Sequence, residues 1–282
     1  MGLRVHKHAH LHEDQAMAGH SKWSNIKHKK KKKDRRRAKV WNKIIRELTV
    51  AAREQGGDPE YNPRLRLAIE RAKDANMPKD NIENAIKRGT GELEGVDYEE
   101  KTYEGYGPNG VAVFVETMTD NINRTVAELR YIFDEHDASL GEDGCVAWQF
   151  ERKGLIQVDA GSVDDKDAFL LEIIEYGGQE MEESTYESDD EDGPDEVPVY
   201  SVYTAFEALH DVLDELEAAG YRIRDATPVR VANQTMGLDD DALDAFLAFY
   251  EELDDHDDVQ EIYVNLEVDG DAELDDVLAA TG

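Results

Sequence analysis

The chain has a single cysteine among 282 residues, Cys145. One thiol closes no intramolecular disulfide, and a zinc site built on four cysteines is excluded. No apolar run approaches the roughly 18–20 residues of a membrane-spanning helix, and no positive-then-apolar leader precedes a small-residue cleavage site. A soluble, cytoplasmic protein is expected. Signatures of catalysis are equally scarce. No glycine-rich element precedes a Lys-Ser/Thr pair. Beyond the N-terminus only His136, His210 and His256 occur, far apart, each on or beside a predicted helix end. Cys145 adjoins apolar residues and reads as a small buried hydrophobe rather than a nucleophile. No catalytic residue, cofactor or metal is assigned, and the chain is not expected to be an enzyme.

Lysine is rare over most of the length: after residue 90 only Lys101, Lys153 and Lys166 remain. Residues 1–90 carry 23 Lys/Arg against 11 Asp/Glu, a net of +12, and residues 91–282 carry 9 against 54, a net of −45. Such asymmetry indicates a basic partner-binding end joined to a self-repelling acidic body. The body can steer a polyanion toward the basic end. The shortage of lysine favours another reading, adaptation to a high-salt cytoplasm, in which surface carboxylates say little about chemistry.

What is present is concentrated between Met17 and Gly57. Lys22 and Trp23 precede Lys27 and His28, then Lys29, Lys30, Lys31, Lys32 and Lys33, then Arg35, Arg36, Arg37 and Lys39 after Asp34. Trp41, Ile44, Ile45, Leu48 and Ala52 follow at the spacing of one helical face, with Asp34 near the helix start and Gly56-Gly57 as its stop. Lys39, Lys43, Arg46 and Arg53 fall largely off that face, so the packed helix is expected to turn positive charge to solvent. Arginine forks onto phosphate, and Trp23 and His28 offer stacking surfaces. Arm and helix together predict a nucleic-acid-binding device.

Asn62 caps and Pro63 opens a second helix, and Pro78 starts a third that stops at Gly89. The pair resembles a helix-turn-helix, and Lys79, Lys87 and Arg88 are exposed on it. Without a cluster of base-reading residues, backbone and shape contacts are favoured over sequence reading. Residues 17–90 form this basic helical domain, behind a leader at 1–16 expected to be disordered or to precede the true start at Met17. The alternating His6, His8, His10 and His12 of that leader could hold a metal, but a disordered terminus is the better account.

Beyond a polar linker at Thr90 to Glu100, strands and helices alternate. Residues 154–228 read β-α-β-β-α-β, the split βαβ pattern. The flanking parts predict strands at 111–117, 146–150, 229–235 and 259–268 and helices at 123–136 and 240–253. The fold class is therefore α+β: an N-terminal three-helix domain followed by two ferredoxin-like α/β domains. The second, 154–228, is inserted in the first, 91–153 with 229–282. Gly105 to Gly110 is formally G-x-G-x-x-G, but a strand follows it, so a tight turn is expected rather than a dinucleotide site. Asp190 to Gly193 faintly resembles a calcium loop, yet Val199 stands where a bidentate Glu is needed. Of the runs bracketing the helix at 240–253, Asp239 to Asp241 suits its N-terminus, and Asp254 to Asp258 shows no ligand pattern.

Several segments together resemble the YebC family: MAGHSKWSNIKH from Met17, RELTVAAREQGGDPEYNPRLRLAIERAKDANMPKDNIENAIKRGTGELEG, YEGYGPNGVAVFVETMTDNINRTVAELRYIF and LGEDGCVAWQFERKG. The likeness runs from Met17, is strong through Gly154 and is looser beyond. It implies a helical domain plus two α/β domains and no catalytic residues. It also implies gene regulation, as a DNA-binding transcriptional regulator or as a translation activator like the mitochondrial relatives. Bacterial relatives look like ribosome-associated factors that relieve stalling at proline-rich stretches. Carried over are Gly19 to Trp23, the basic arm with its helix, and Asn76 to Ile82. The unbroken Lys29 to Lys33 and the acidity depart from the family pattern.

The leading expectation is a non-enzymatic translation factor whose Lys27 to Lys39 grip ribosomal RNA, with the ribosome as a partner and no membrane. A DNA-binding transcriptional regulator, acting as a homodimer, is the alternative. An enzyme using the acidic body with a divalent metal comes third.

Overall fold

The computed structural model describes residues 33–187 and 196–267. Three helices come first: α1 (Lys33–Gln55), α2 (Pro63–Asp74) and α3 (Lys79–Gly89). Asp34 stands inside the first turn of α1. Gly56, at φ +91°, ends α1 and donates its N–H to the Ala52 carbonyl at 2.9 Å. Asn62 is fully buried and serves two helices at once. Its Oδ1 accepts the Leu65 N–H at 3.0 Å, while its Nδ2 donates to the carbonyls of Ala51 and Gly56, both at 2.8 Å. Pro63, with no N–H to satisfy, fills the first position of α2. Ile44, Leu48, Leu65, Ala68, Ile82 and Ala85 make the core between the three. At Gly89 the helices α1 and α3 touch backbone to backbone. A Cβ there would sit 2.3 Å from the Thr49 carbonyl oxygen and 2.8 Å from Ala52 Cβ.

The remainder builds two four-stranded antiparallel sheets. The first uses β1 (Glu99–Tyr106), β2 (Ala112–Thr119), β3 (Ser139–Leu140) and, from late in the chain, β9 (Val259–Val264), in the order β3-β1-β2-β9. Helices α4 (Ile122–Glu135) and α7 (Asp240–Asp255) join its core, where Val113, Val115, Leu129, Phe133, Phe246 and Phe249 meet. The rings of Phe133 and Phe249 pack edge to face at 4.9 Å.

The second sheet uses β4 (Phe150–Asp159), β5 (Gly178–Glu187), β6 (Glu196–Ala205) and β7 (Ile223–Ala232), in the order β5-β6-β4-β7. With α5 (Lys166–Tyr176) after β4 and α6 (Leu209–Ala218) after β6, it shows the split βαβ order. Ile156, Val158, Phe169, Ile173, Val202 and Leu213 form its core. The chain thus leaves the first sheet after β3, completes the second, and returns with α7 and β9. Two short strands, β8 (Met236–Gly237) and β10 (Leu266–Glu267), pair in parallel beside the return.

The α+β class, the helical N-terminal region and the antiparallel sheets are as expected. Individual strands differ. The segment expected at 146–150 is a 3₁₀ turn over Ala147–Gln149 ahead of β4. The last strand expected in the block 154–228 and the strand expected at 229–235 are one strand, β7, in the second sheet. In the first sheet the places expected for 146–150 and 229–235 are taken by β3 and by β1, which begins at the end of what reads as a linker. The G-x-G-x-x-G stretch closes the β1–β2 hairpin, with Gly107 N–H bonded to the Val111 carbonyl at 2.8 Å and Gly110 at φ +83°. No helix follows it. Asp190 to Gly193 lies outside the described residues.

Candidate nucleic-acid interface

Of the residues singled out in sequence, Lys22, Trp23, Lys27, His28, Lys29, Lys30, Lys31 and Lys32 lie outside the described residues. Lys33, Arg35, Arg36 and Arg37 occupy the opening turns of α1. The next cations on the helix, Lys39, Lys43 and Arg46, are spaced at i, i+4 and i+7 and share one face. The expectation that they turn free charge to solvent is corrected by the structure. Lys39 Nζ donates to Asp254 at 3.0 Å and Asp255 at 3.1 Å. Lys43 Nζ reaches Asp254 at 3.2 Å and the Gln260 carbonyl at 2.9 Å. Arg46 donates to Asp258 at 2.7 Å and to the Met118 carbonyl at 2.6 Å. The Asp254 to Asp258 run, which shows no role in sequence, is the seat of α1 on the first sheet.

Asp258 is the hub of that seat, with its side chain only 2% exposed. Besides Arg46 it accepts Arg124 Nη2 at 2.7 Å, Thr125 Oγ1 at 2.7 Å and Thr119 Oγ1 at 3.1 Å. Burial alone would raise its carboxyl, but the hydrogen bonds from Arg124, Thr125 and Arg46 outweigh it and hold the group at about 2. The other side of the helical domain is fixed to the second sheet by a two-pronged pair, Arg71 to Asp225 at 2.6 and 3.0 Å.

A cleft of about 560 Å³ opens beside the hub, lined by Arg46, Tyr98, Arg124, Glu128, His256 and Asp257 among others. Here Glu128, His256 and Asp258 bring ligand-type atoms within 4.8 Å of one another. Their hydrogen bonds describe a different arrangement. His256 Nδ1 accepts the Asp258 N–H at 3.1 Å, which leaves the ring proton on Nε2, facing Glu128 Oε2 at 2.9 Å. A cation on Nε2 would displace that proton onto Nδ1, against the Asp258 N–H. The Asp258 oxygens are already bound to two guanidiniums and two hydroxyls. The group fits a locked corner better than a metal cage.

Cationic charge that the helical domain does expose includes Lys73, Lys79, Lys87 and Arg88, at the α2–α3 corner and along α3. Lys79, 86% exposed, and Lys87 share the single carboxylate of Glu83, at 3.5 and 3.9 Å. Cys145 is half-buried, and burial together with the charge of Glu104 pushes its thiol up, away from a reactive thiolate. Sequence reasoning missed Asp254, Asp255 and Asp258, whose partners on α1 stand more than 200 residues earlier. The signal that could have found them is the matched count: three cations on one helical face and three carboxylates at one helix end.

Comparison with known proteins agrees with this architecture. Residues 21–92 match the TACO1/YebC protein N-terminal domain, and residues 98–266 match the TACO1/YebC second and third domain. A "probable transcriptional regulatory protein" of Halothermothrix orenii is 48% identical over 254 residues, 89% of this chain and 96% of that protein. One of the same name from Thermotoga maritima is 46% identical over 263 residues, 93% of this chain and 98% of that protein. The crystal structure of a conserved hypothetical protein from Aquifex aeolicus superposes with a TM-score of 0.76 at 42% identity. It covers 90% of this chain and 99% of that one. Among the described residues, no helix is long and apolar enough to cross a membrane.

Proposed function

The chain belongs to the TACO1/YebC family, and we propose that it regulates gene expression by binding nucleic acid, without catalysis, as a ribosome-associated translation factor acting on RNA. The observation that carries this reading is the division of labour along α1. Further along it, Lys39, Lys43 and Arg46 are consumed by Asp254, Asp255 and Asp258, so the helix is a bolted stem. The nine cations from Lys27 to Arg37 run into that stem and supply the phosphate contacts. They hold a polyanion by charge, with little sequence preference.

The experiment is co-sedimentation with ribosomes from the native lysate at the cell's working salt, with genomic DNA fragments as competitor. The wild-type chain should travel with ribosomes and stay there. The triple variant Arg35→Glu, Arg36→Glu, Arg37→Glu should remain in the supernatant, and its residual RNA binding should show a flatter salt slope, by about 0.7 per lost phosphate contact on single strands. Lys39 is left intact because it belongs to the seat. Ribosome binding by the triple variant equal to wild type would refute the arm.

A DNA-binding transcriptional regulator is the second reading, favoured by the names of the relatives and by the exposed cations around α3. It requires a defined footprint on promoter fragments and a homodimer at working concentration, which sedimentation measures.

A further inference from the structure

The loop from β3 to β4 is held from below by an interior carboxylate and carries an exposed indole. Glu104 of β1, 6% exposed, accepts the N–H groups of Gly144 at 2.7 Å, Val146 at 2.8 Å and Ala147 at 2.7 Å. Burial would raise this carboxyl, but the three backbone donors overcome it and keep the group ionised. The next residue, Trp148, is 71% exposed. Its Nε1 donates inward to the Cys145 carbonyl at 3.1 Å, and its own carbonyl accepts Asn233 Nδ2 at 3.1 Å. Tyr106, 38% exposed, donates to the same Cys145 carbonyl at 3.3 Å and accepts Gln149 Nε2 at 3.3 Å.

The indole is therefore fixed in place, with its polar edge used and its ring left to solvent. Nothing inside the fold requires a tryptophan there. Two exposed carboxylates, Glu142 and Asp143, stand on the turn that Cys145 closes by its N–H to the Glu142 carbonyl at 3.1 Å. An electron-rich ring on a loop that also carries two exposed carboxylates, on a body of net −45, selects for positive charge. A nucleobase could stack on the same ring, but its phosphate would come in against Glu142 and Asp143. We propose that Trp148, with Glu142 and Asp143, is a docking site for a Lys/Arg-rich segment of a partner protein, a cation lying over the indole and its neighbours meeting the two carboxylates.

The site stands apart from the seat of α1. The seat of α1 meets β2 at Met118, while Tyr106 ends β1 at the opposite end of the same sheet, where it pairs with Ala112. Six residue steps along the strand, from Met118 to Ala112, separate the two by roughly 20 Å. Phosphate and a basic protein can be held together, which goes beyond the nucleic-acid reading.

The test uses the full chain, a fluorescein-labelled twelve-residue Arg/Gly peptide, and oligouridylate as a parallel probe. Trp148→Ala should weaken peptide binding about 3- to 30-fold, the range of a cation over an aromatic face, and Trp148→Phe should fall between. The Glu142→Gln, Asp143→Asn pair should weaken it with a flatter salt dependence while keeping the indole. Tyr131→Ala, which removes a ring 59% exposed on α4, should change nothing. All should bind oligouridylate as wild type does, and the Arg35, Arg36, Arg37 variant should keep its peptide affinity, so the two readings fail separately. Unchanged peptide affinity in Trp148→Ala would overturn the proposal. Loss of oligouridylate binding in that variant would overturn it in favour of a base-stacking platform.

Discussion

The two faces of α1 are secured by different physics. Toward α2 and α3 it presents Ile44, Leu48, Ala51 and Ala52, buried against Leu65, Ala68 and Ile82, with Gly89 allowing backbone contact. Toward the first sheet it presents Lys39, Lys43 and Arg46 to Asp254, Asp255 and Asp258. The apolar seam depends on shape and is indifferent to pH. The ionic seam depends on keeping carboxylates charged in a poorly solvated corner, where a lone charge costs far more than a pair. The helical domain therefore owes its own integrity to one seam and its orientation on the body to the other, together with the Arg71–Asp225 pair.

The change expected to break this contrast most sharply is Asp258→Asn. It leaves Arg46 and Arg124 without their shared anion and the two threonine hydroxyls with a poorer acceptor. Breaking a buried pair costs about 3–5 kcal/mol, and the partial exposure of Arg124 places the loss near 3. Urea unfolding at neutral pH measures it, and amide exchange should rise at the seat while the α1–α3 core stays protected. Gly89→Ala tests the opposite seam. Its methyl would lie 2.3 Å from the Thr49 carbonyl oxygen, so the helices must separate, at about 2 kcal/mol by analogy with overpacked cores. Here exchange should rise in α1 and α3 while the seat survives. If both variants loosened both seams equally, the division would be wrong.

The apolar seam was legible in sequence and the ionic one was not. Periodicity places Ile44 and Leu48, and local chemistry places the Asn62 cap, Pro63 and the Gly56 stop, because each signal acts within a few residues. The ionic seam joins Lys39 to Asp254 across 215 residues, and no local pattern marks a cation as paired. The same distinction explains the strands. β1 carries four charged residues in its eight, Glu99, Glu100, Lys101 and Glu104, and its exposed first half has no alternation. Its identity comes from residue-by-residue pairing with β2. β7 reads as two strands because Pro228 interrupts it, yet β7 is an edge strand, where a missing N–H is tolerated. The turn at Ala147 to Gln149 reads as a strand because its apolar residues conceal that Glu104, about 40 residues earlier, gathers the N–H groups of Gly144, Val146 and Ala147 where it begins.

Acid should separate the seams without mutation. Asp258 is held at about 2, below its unfolded value of roughly 3.9. Its contribution is thus essentially complete above the unfolded value and disappears as pH falls from there through 2, a loss of about 2–3 kcal/mol. Glu104 is also held below the usual carboxylate range by its three backbone donors, so the Trp148 loop should loosen once acid protonates it. Glu182 runs the other way. Burial beside Tyr203 lifts it to about 7, so its folded form favours the proton, and stability declines as pH rises from about 4 to 7. Subtracting the Asp258→Asn profile from wild type isolates the hub, and the difference should shrink between pH 4 and 2. A difference that stays constant across that window would show that the Asp258 charge does not hold the seam.

The smallest effect is expected at Lys79, which sits on neither seam. Its ammonium is 86% exposed and 3.5 Å from Glu83, an arrangement worth little in water. Lys79→Ala should shift stability by less than about 0.5 kcal/mol, which thermal melting can bound. Its effect on nucleic-acid binding is more telling than its size. On the arm reading Lys79 touches at most one phosphate, so the salt slope should drop by no more than about 0.7 on single strands, against roughly three times that for the arginine triple. If instead Lys79→Ala matched the triple variant and erased a preference among DNA sequences, the exposed face of α3 would be reading bases. The bolted α1 would then be a brace for α3, rather than the stem of an RNA-gripping arm.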